Sequence, residues 1–174
     1  MAPAPQVVVF AGLPGTGKST LARAVAGRLG ALWLRVDTIE AALLAAGLPR
    51  SFETGLAAYL GVRDVAADHL AMGRSVVIDA VNGVEEGRRM WRELAREHRA
   101  ERYVVEVVCG DPTEHRRRVE GRTPPTPPLP KPTWEEVLHR EYLPWTEPVL
   151  RVDSTAPPEE SVERILGYCS RPPA

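Results

Sequence analysis

Short, unbroken apolar runs alternate along this chain with stretches whose apolar residues return every three or four positions. Val7-Val8-Val9-Phe10 reads as a first strand, and Leu21, Val25 and Leu29 mark one face of a helix that ends near Gly30. Leu32-Trp33-Leu34-Arg35-Val36 reads as a second strand, followed by a helix from Asp37 through Leu44 that stops at Gly47 and Pro49. A longer helical stretch, Phe52 to Met72, carries Leu56, Leu60, Val65 and Leu70. Ser75-Val76-Val77-Ile78 is a third strand, apolar throughout as a strand covered on both faces should be. A helix from about Glu85 to Arg99 and a fourth strand from Tyr103 to Cys109 follow. Asp111-Pro112-Thr113-Glu114 then opens a helix with an acid at the N-cap, proline at the first helical position and Glu three residues after the cap. After a proline-dense interruption, Thr133-Trp134-Glu135-Glu136 spells a capping box, Val149-Leu150-Arg151-Val152 a fifth strand, and Pro158 to Tyr168 a closing helix. Strands that alternate with helices in this way predict a mostly parallel sheet covered by helices on both faces.

The link between the first strand and the first helix carries the strongest chemical signal. Gly12-Leu13-Pro14-Gly15-Thr16-Gly17-Lys18-Ser19-Thr20 fits G-x-x-x-x-G-K-[ST] without a mismatch, in the strand–loop–helix setting that a phosphate-binding loop requires. Glycines let backbone N–H groups, here those of Gly15, Thr16, Gly17 and the residues up to Thr20, close around phosphate oxygens at a helix N-terminus. Lys18 is placed to reach the β- and γ-phosphates of ATP, and the Ser19 hydroxyl to hold Mg²⁺.

Ligands of open α/β sheets lie at the carboxyl ends of the strands, and three acids fall there: Asp37, Asp79 and Asp111. Asp37 stands where a general base would take the proton of an acceptor hydroxyl, yet Asp37-Thr38-Ile39-Glu40 also spells a helix-capping start; the two roles are compatible. Asp79 ends an apolar strand as a Mg²⁺-organising acid would, or caps the next loop. Asp111 is explained by its helix start alone. Arg118 and Arg122 stand four apart, on one helix face if the helix extends that far. Such a pair suits an adenine ring and phosphate oxygens, and equally a solvated basic helix end. Positions 124 to 132 hold six prolines in nine residues, which excludes helix and central strand and suggests a lid arm over about 119–133.

Composition narrows the field. A chain of 174 residues with 44% hydrophobic and 26% charged residues fits one globular domain spanning 1–174. The net charge of −1 gives no basic footprint for nucleic acid or an anionic membrane. The only lysines are Lys18 and Lys131, so an Asn-Lys-x-Asp guanine reader is excluded, and with it a GTPase. Cys109 and Cys169 show no metal or redox spacing, and the four histidines read as helix-surface residues. No apolar segment is long enough to span a bilayer and no signal-peptide pattern precedes the first strand, so the expectation is a cytoplasmic protein.

Together these pieces resemble a group of P-loop kinases that includes polynucleotide 5′-hydroxyl kinases, gluconate kinases, chloramphenicol phosphotransferases and zeta toxins. The resemblance rests on Gly12 to Thr20, on Leu34-Arg35-Val36-Asp37, on Asp79-Ala80-Val81-Asn82 followed by Arg88-Arg89-Met90-Trp91, and on the Arg118/Arg122 pair. It implies a three-layer, nucleoside-kinase-like P-loop fold with a five-stranded parallel sheet ordered 2-3-1-4-5 and a proline-rich lid. It also implies ATP and Mg²⁺, with Mg²⁺ at Ser19 and Asp79, phosphoryl transfer to a hydroxyl with Asp37 as base, Arg118 on adenine and Arg122 on phosphate.

One position departs from the pattern. Polynucleotide-kinase-like members carry an arginine three residues after the base, where this chain has Glu40. An acid there repels a phosphorylated acceptor, which makes a nucleic-acid end the lesser expectation beside a small hydroxyl compound such as an antibiotic, sugar or metabolite. The competing readings are a polynucleotide or nucleotide kinase and an ATP-binding regulatory module. Oligomeric AAA motors follow the third-strand acid with Glu, whereas Ala80 follows Asp79 here. A monomer or homodimer is expected. Tyr59, Arg63 and Trp134 are candidates for an acceptor pocket between the Phe52 to Met72 helix and the lid.

Overall fold

The computed structural model of the chain describes residues 4–121, 123 and 129–172. Five strands form one sheet: β1 (Gln6–Ala11), β2 (Leu32–Arg35), β3 (Val76–Asp79), β4 (Glu101–Val108) and β5 (Leu150–Asp153). Their order is β2-β3-β1-β4-β5 and every neighbouring pair is parallel, as the resemblance implies. Parallel neighbours need crossovers, and the helices supply them: α1 (Lys18–Leu29), α2 (Val36–Ala45), α3 (Phe52–Ala71), α4 (Glu85–Glu97), α5 (Pro112–Gly121), α6 (Trp134–Leu138) and α7 (Pro158–Cys169).

Side chains alternate across β1, so its residues feed two cores. Val7 and Val9 join Val76, Ile78, Ala58, Val62, Trp91 and Leu94 on the face covered by α3 and α4. Val8 and Phe10 join Leu21, Val25, Val105, Val152 and Ile165 on the face covered by α1 and α7. The α3 stripe differs from the sequence expectation. Its buried residues are Thr54, Ala58, Val62, Ala66 and Leu70, whereas Leu56, Leu60 and Val65 are each about 40% exposed. Small residues at the buried positions let the helix lie close to the sheet, which turns the larger Leu56 and Leu60 outward.

Two ends differ in a way that matters for the site. Val36 belongs to α2 and not to β2, and the α2 N-cap is Arg35 in extended conformation, so Asp37 is a first-turn residue and not the cap. Helix α5 is described as far as Gly121, and Arg122 lies outside the described residues, as do 124–128 of the expected lid. The capping acids of the two later helices stand as read. Asp111 Oδ1 accepts the Thr113 and Glu114 N–H groups at 2.8 and 3.2 Å, and Thr133 with Glu136 forms a reciprocal capping box.

Candidate active site

The loop between β1 and α1 is shaped by contacts that only glycine tolerates. Gly12 sits at φ 146° with a Cβ position that overlaps the Val107 carbonyl oxygen, and Gly15 at φ 83° with a Cβ position 2.5 Å from Val119 Cγ2. Neighbouring loops hold it in place: the Gly12 N–H donates to the Val81 carbonyl at 3.1 Å, and Thr16 Oγ1 donates to the Leu13 carbonyl at 2.9 Å. Lys18 is the first residue of α1 and is buried, where the first N–H groups of a helix have no intrahelical acceptor. One open cavity is lined by Gly15, Gly17, Lys18, Ser19 and Thr20.

His115 was expected on a helix surface, but it is buried against this loop. Its Nε2 lies 2.8 Å from the Pro14 carbonyl and its ring meets Trp134 edge-on at 5.1 Å. Trp134 thus packs against His115, which in turn contacts the loop at Pro14. The signal for His115 was its place on the inner face of α5, one turn before Val119, which is itself buried.

The two strand-end acids are joined by a residue that sequence reading left without a role. Arg35 and Asp79 are register partners at the ends of β2 and β3, so their side chains rise from the same side of the sheet edge. Arg35 Nε lies 3.5 Å from Asp79 Oδ2, and its Nη2 lies 3.9 Å from Asp37 Oδ2. Asp79 is 3% exposed, and among the described residues its Oδ2 accepts no hydrogen bond. A buried carboxylate oxygen with an ion-pair neighbour in Arg35 but no hydrogen bond, together with the Ser19 hydroxyl on the phosphate loop, fits a hydrated Mg²⁺ that would take its remaining ligands from water and phosphate. Among the described residues no three or more His, Cys, Asp or Glu side chains gather as a self-sufficient metal cage.

Arg118 is positioned by α5 on the outer side of the loop. Its Nε donates to Glu114 Oε1 at 2.7 Å, while Nη1 and Nη2 donate to Ser154 Oγ and the Ser154 carbonyl at 2.8 and 3.2 Å. It borders both the loop cavity and a second recess formed with Leu21, Ser154, Pro158 and Ser161. The Arg117 and then Arg118 guanidinium groups hold the Glu114 carboxyl down to about 2.

Lys18 and Asp37 line one cavity, together with Pro14, Glu40, Arg50, Arg140 and the segment Leu129–Pro132. Burial, reinforced by the charge of Asp37, pushes the Glu40 carboxyl above its usual range, and Arg50 and Arg140 pull the other way. These two arginines temper the repulsion that Glu40 alone would exert on an anionic acceptor. Beyond them the cavity continues into a cleft between α3 and the start of α4, bordered by Tyr59, Gly83 and Glu141. Arg63 has no part in it, since it pairs with Asp64 and Glu97 at 3.0 Å on the surface.

The far wall is fastened by one buried arginine. Arg88, 3% exposed, donates to the carbonyls of Asn82 (3.0 Å), Pro144 (2.9 Å) and Leu143 (2.6 Å), and lies 3.7 Å from the Trp145 ring centre. Asn82, at φ 50°, donates to the Phe10 carbonyl at 2.8 Å and accepts from Trp91 Nε1 at 2.8 Å, tying this wall to the strand that leads into the phosphate loop.

The chain matches the AAA domain family over residues 7–142. No curated protein matches its sequence. Similar solved structures include a gluconokinase from Sinorhizobium meliloti, at 20% identity and TM-score 0.71, covering 98% of this chain and 94% of the other. The APS kinase of Mycobacterium tuberculosis, in complex with AMPPNP and APS, gives 20% identity and TM-score 0.70 over 98% and 100% of the two chains. Kti12 of Chaetomium thermophilum, in complex with ADP-AlF3, gives 20% identity and TM-score 0.68 over 92% and 97%. These likenesses establish the fold as that of the P-loop kinase group.

Proposed function

The chain belongs to the AAA domain family, and from that premise we propose that it is an ATP-dependent phosphotransferase acting on a hydroxyl group of a small molecule. The observation that carries the reading is that Lys18 and Asp37 line one cavity, an ammonium at the start of α1 and a carboxylate in the first turn of α2. A donor phosphate on the loop and an acceptor hydroxyl at Asp37 would share that cavity, as in-line transfer requires. The acceptor oxygen forms a bond to the γ-phosphorus while the bond from that phosphorus to the β–γ bridging oxygen breaks. The hydroxyl proton passes to Asp37 and ADP leaves.

Lys18 spreads charge on the β- and γ-phosphates, and the N-terminus of α1 adds its partial positive charge. Mg²⁺, held through Ser19 and Asp79, would supply further neutralisation of those oxygens. Arg118 borders a recess with Leu21 and Pro158, to which the proposal assigns the adenine ring. Arg122 is assigned to the transferring phosphoryl group through the family resemblance. The gluconokinase and APS kinase among the similar structures support a small-molecule acceptor.

ADP release measured with ATP alone and with a panel of hydroxyl compounds tests this. The proposal expects acceptor-dependent release with a phosphorylated product. Turnover that responds only to a protein partner points instead to a regulatory ATPase.

A further inference from the structure

The cleft beyond Asp37 has an apolar wall that the fold does not use. Phe52, the first residue of α3, is 78% exposed, and Leu56, one turn on, is 40% exposed; both border the cleft together with Val84 and Met90. Between them Gly55 sits inside a helix, where glycine costs about 1 kcal/mol relative to Ala. An added Cβ there meets nothing within 4 Å. No packing contact explains this glycine, and the consequence of its missing side chain is space in the cleft.

The oxygens of two neutral polar side chains along the same wall already accept hydrogen bonds. Tyr59 Oη accepts the Asn82 N–H at 3.3 Å, and Ser51 Oγ caps α3 by accepting the Thr54 N–H at 3.2 Å. A polyol laid against Phe52, Leu56 and Met90 gains no hydrogen bond from them, whereas an apolar body buries their exposed area. Charged groups line the rest of the cleft: Glu86 and Glu141, and Glu40, Arg50 and Arg140, which are shared with the cavity of Lys18 and Asp37. The cleft encloses about 590 Å³, within the roughly 300–1,000 Å³ typical of small-molecule sites.

We propose that the acceptor is an alcohol carried on an apolar, ring-sized body, which lies over Gly55 between Phe52, Leu56 and Met90 while its hydroxyl reaches Asp37. This rests on the phosphotransferase reading above. It commits the cleft to a small molecule because the cleft is continuous with the cavity that holds Lys18 and Asp37, and shares Glu40, Arg50, Val81 and Arg140 with it.

The test compares 3-phenylpropan-1-ol and phenylalaninol with glucose, gluconate and a 5′-hydroxyl oligonucleotide as acceptors, reading kcat/KM for each. AMPPNP affinity is measured alongside. The aryl alcohols are expected to exceed the polyols and the oligonucleotide by about tenfold or more, the discrimination that one apolar pocket contact supplies. Phe52→Ala should lower kcat/KM for the aryl alcohols about tenfold with AMPPNP affinity unchanged. Gly55→Leu should abolish their use without lowering the melting temperature, since it fills the cleft while improving helix propensity.

Equal or better use of polyols or the oligonucleotide, or an unaffected Phe52→Ala enzyme, overturns the proposal and leaves the kinase reading standing. A dimer in light scattering that Phe52→Asp dissolves also overturns it, because the apolar wall would then belong to a second copy. Absence of transfer to any hydroxyl compound defeats the phosphotransferase reading itself.

Discussion

Replacing Arg88 with Met should unfasten the wall between the phosphate loop and the acceptor cleft. The guanidinium makes three well-formed hydrogen bonds, to the carbonyls of Asn82, Pro144 and Leu143, and it is 3% exposed. Hydrogen bonds from a charged donor contribute about 1.5–3 kcal/mol each, so the gross loss is roughly 4.5–9 kcal/mol. Bonds that share one guanidinium are not additive, and removing one partner of a buried charged arrangement costs about 3–5 kcal/mol, which sets the expected loss. At about 2–4 °C per kcal/mol for a chain of this size, the melting temperature should fall by roughly 6–20 °C. Urea unfolding followed by far-ultraviolet circular dichroism measures the loss directly, with an unchanged m-value confirming that stability alone has moved. Arg88→Lys keeps the charge but cannot present a fork to three carbonyls, and should lose about half as much. Because Leu143 and Pro144 adjoin Glu141 at the cleft, acceptor KM should rise in Arg88→Lys while ATP affinity holds. A Met variant within about 1 kcal/mol of the wild type, less than the worth of a single one of these bonds, would refute the reasoning.

Three further outcomes follow from the site. Gly15→Ala places a methyl against Val119 at a backbone angle that alanine disfavours; nucleotide affinity by calorimetry should fall at least tenfold and stability by about 1–3 kcal/mol. Arg35→Met removes the cation between Asp37 and Asp79; kcat should fall by about ten- to a hundredfold through misplacement of the two acids, with KM for ATP changed little. Glu114→Gln should alter the acid limb of stability. Arg117 and Arg118 depress the Glu114 carboxyl from 4.5 to about 2, so its contribution is complete above about 4.5 and is lost as pH falls through about 2. The gap in urea midpoint between wild type and variant should therefore narrow across that window, and a gap that stays constant contradicts the assignment.

Much of this could be read before any coordinates because local signals agreed with one another. The G-x-x-x-x-G-K-S spacing between an apolar run and a helical period predicts the strand–loop–helix unit with Lys18 at the start of α1, and the alternation of strands and helices predicts the parallel sheet that the family resemblance orders. Contacts set by strand register were not legible. Arg35 reaches Asp79 because β2 and β3 pair Arg35 with Asp79, and no local pattern states that pairing. The buried stripe of α3 was misread because apolarity was weighted over size: Ala58 and Ala66 pack against the sheet while Leu56 and Leu60 face outward. Glu40 was weighed by itself, whereas folding brings Arg50 and Arg140 beside it from ten and a hundred residues further along the chain. Arg122 lies outside the described residues, so its role stays with the resemblance.

The central claim is that the phosphate loop and Asp37 are the two halves of one transfer reaction. The direct measurement is the fate of the label when [γ-³²P]ATP is incubated with the hydroxyl compound that most stimulates ADP release, for wild type and Asp37→Asn. The account predicts that wild-type protein places the label in a phosphate ester of that compound. In Asp37→Asn, ester formation should drop by at least about a hundredfold, the scale of a lost general base, while ATP affinity stays within a few-fold. Label recovered only as inorganic phosphate, or ester formed equally by Asp37→Asn, would contradict it.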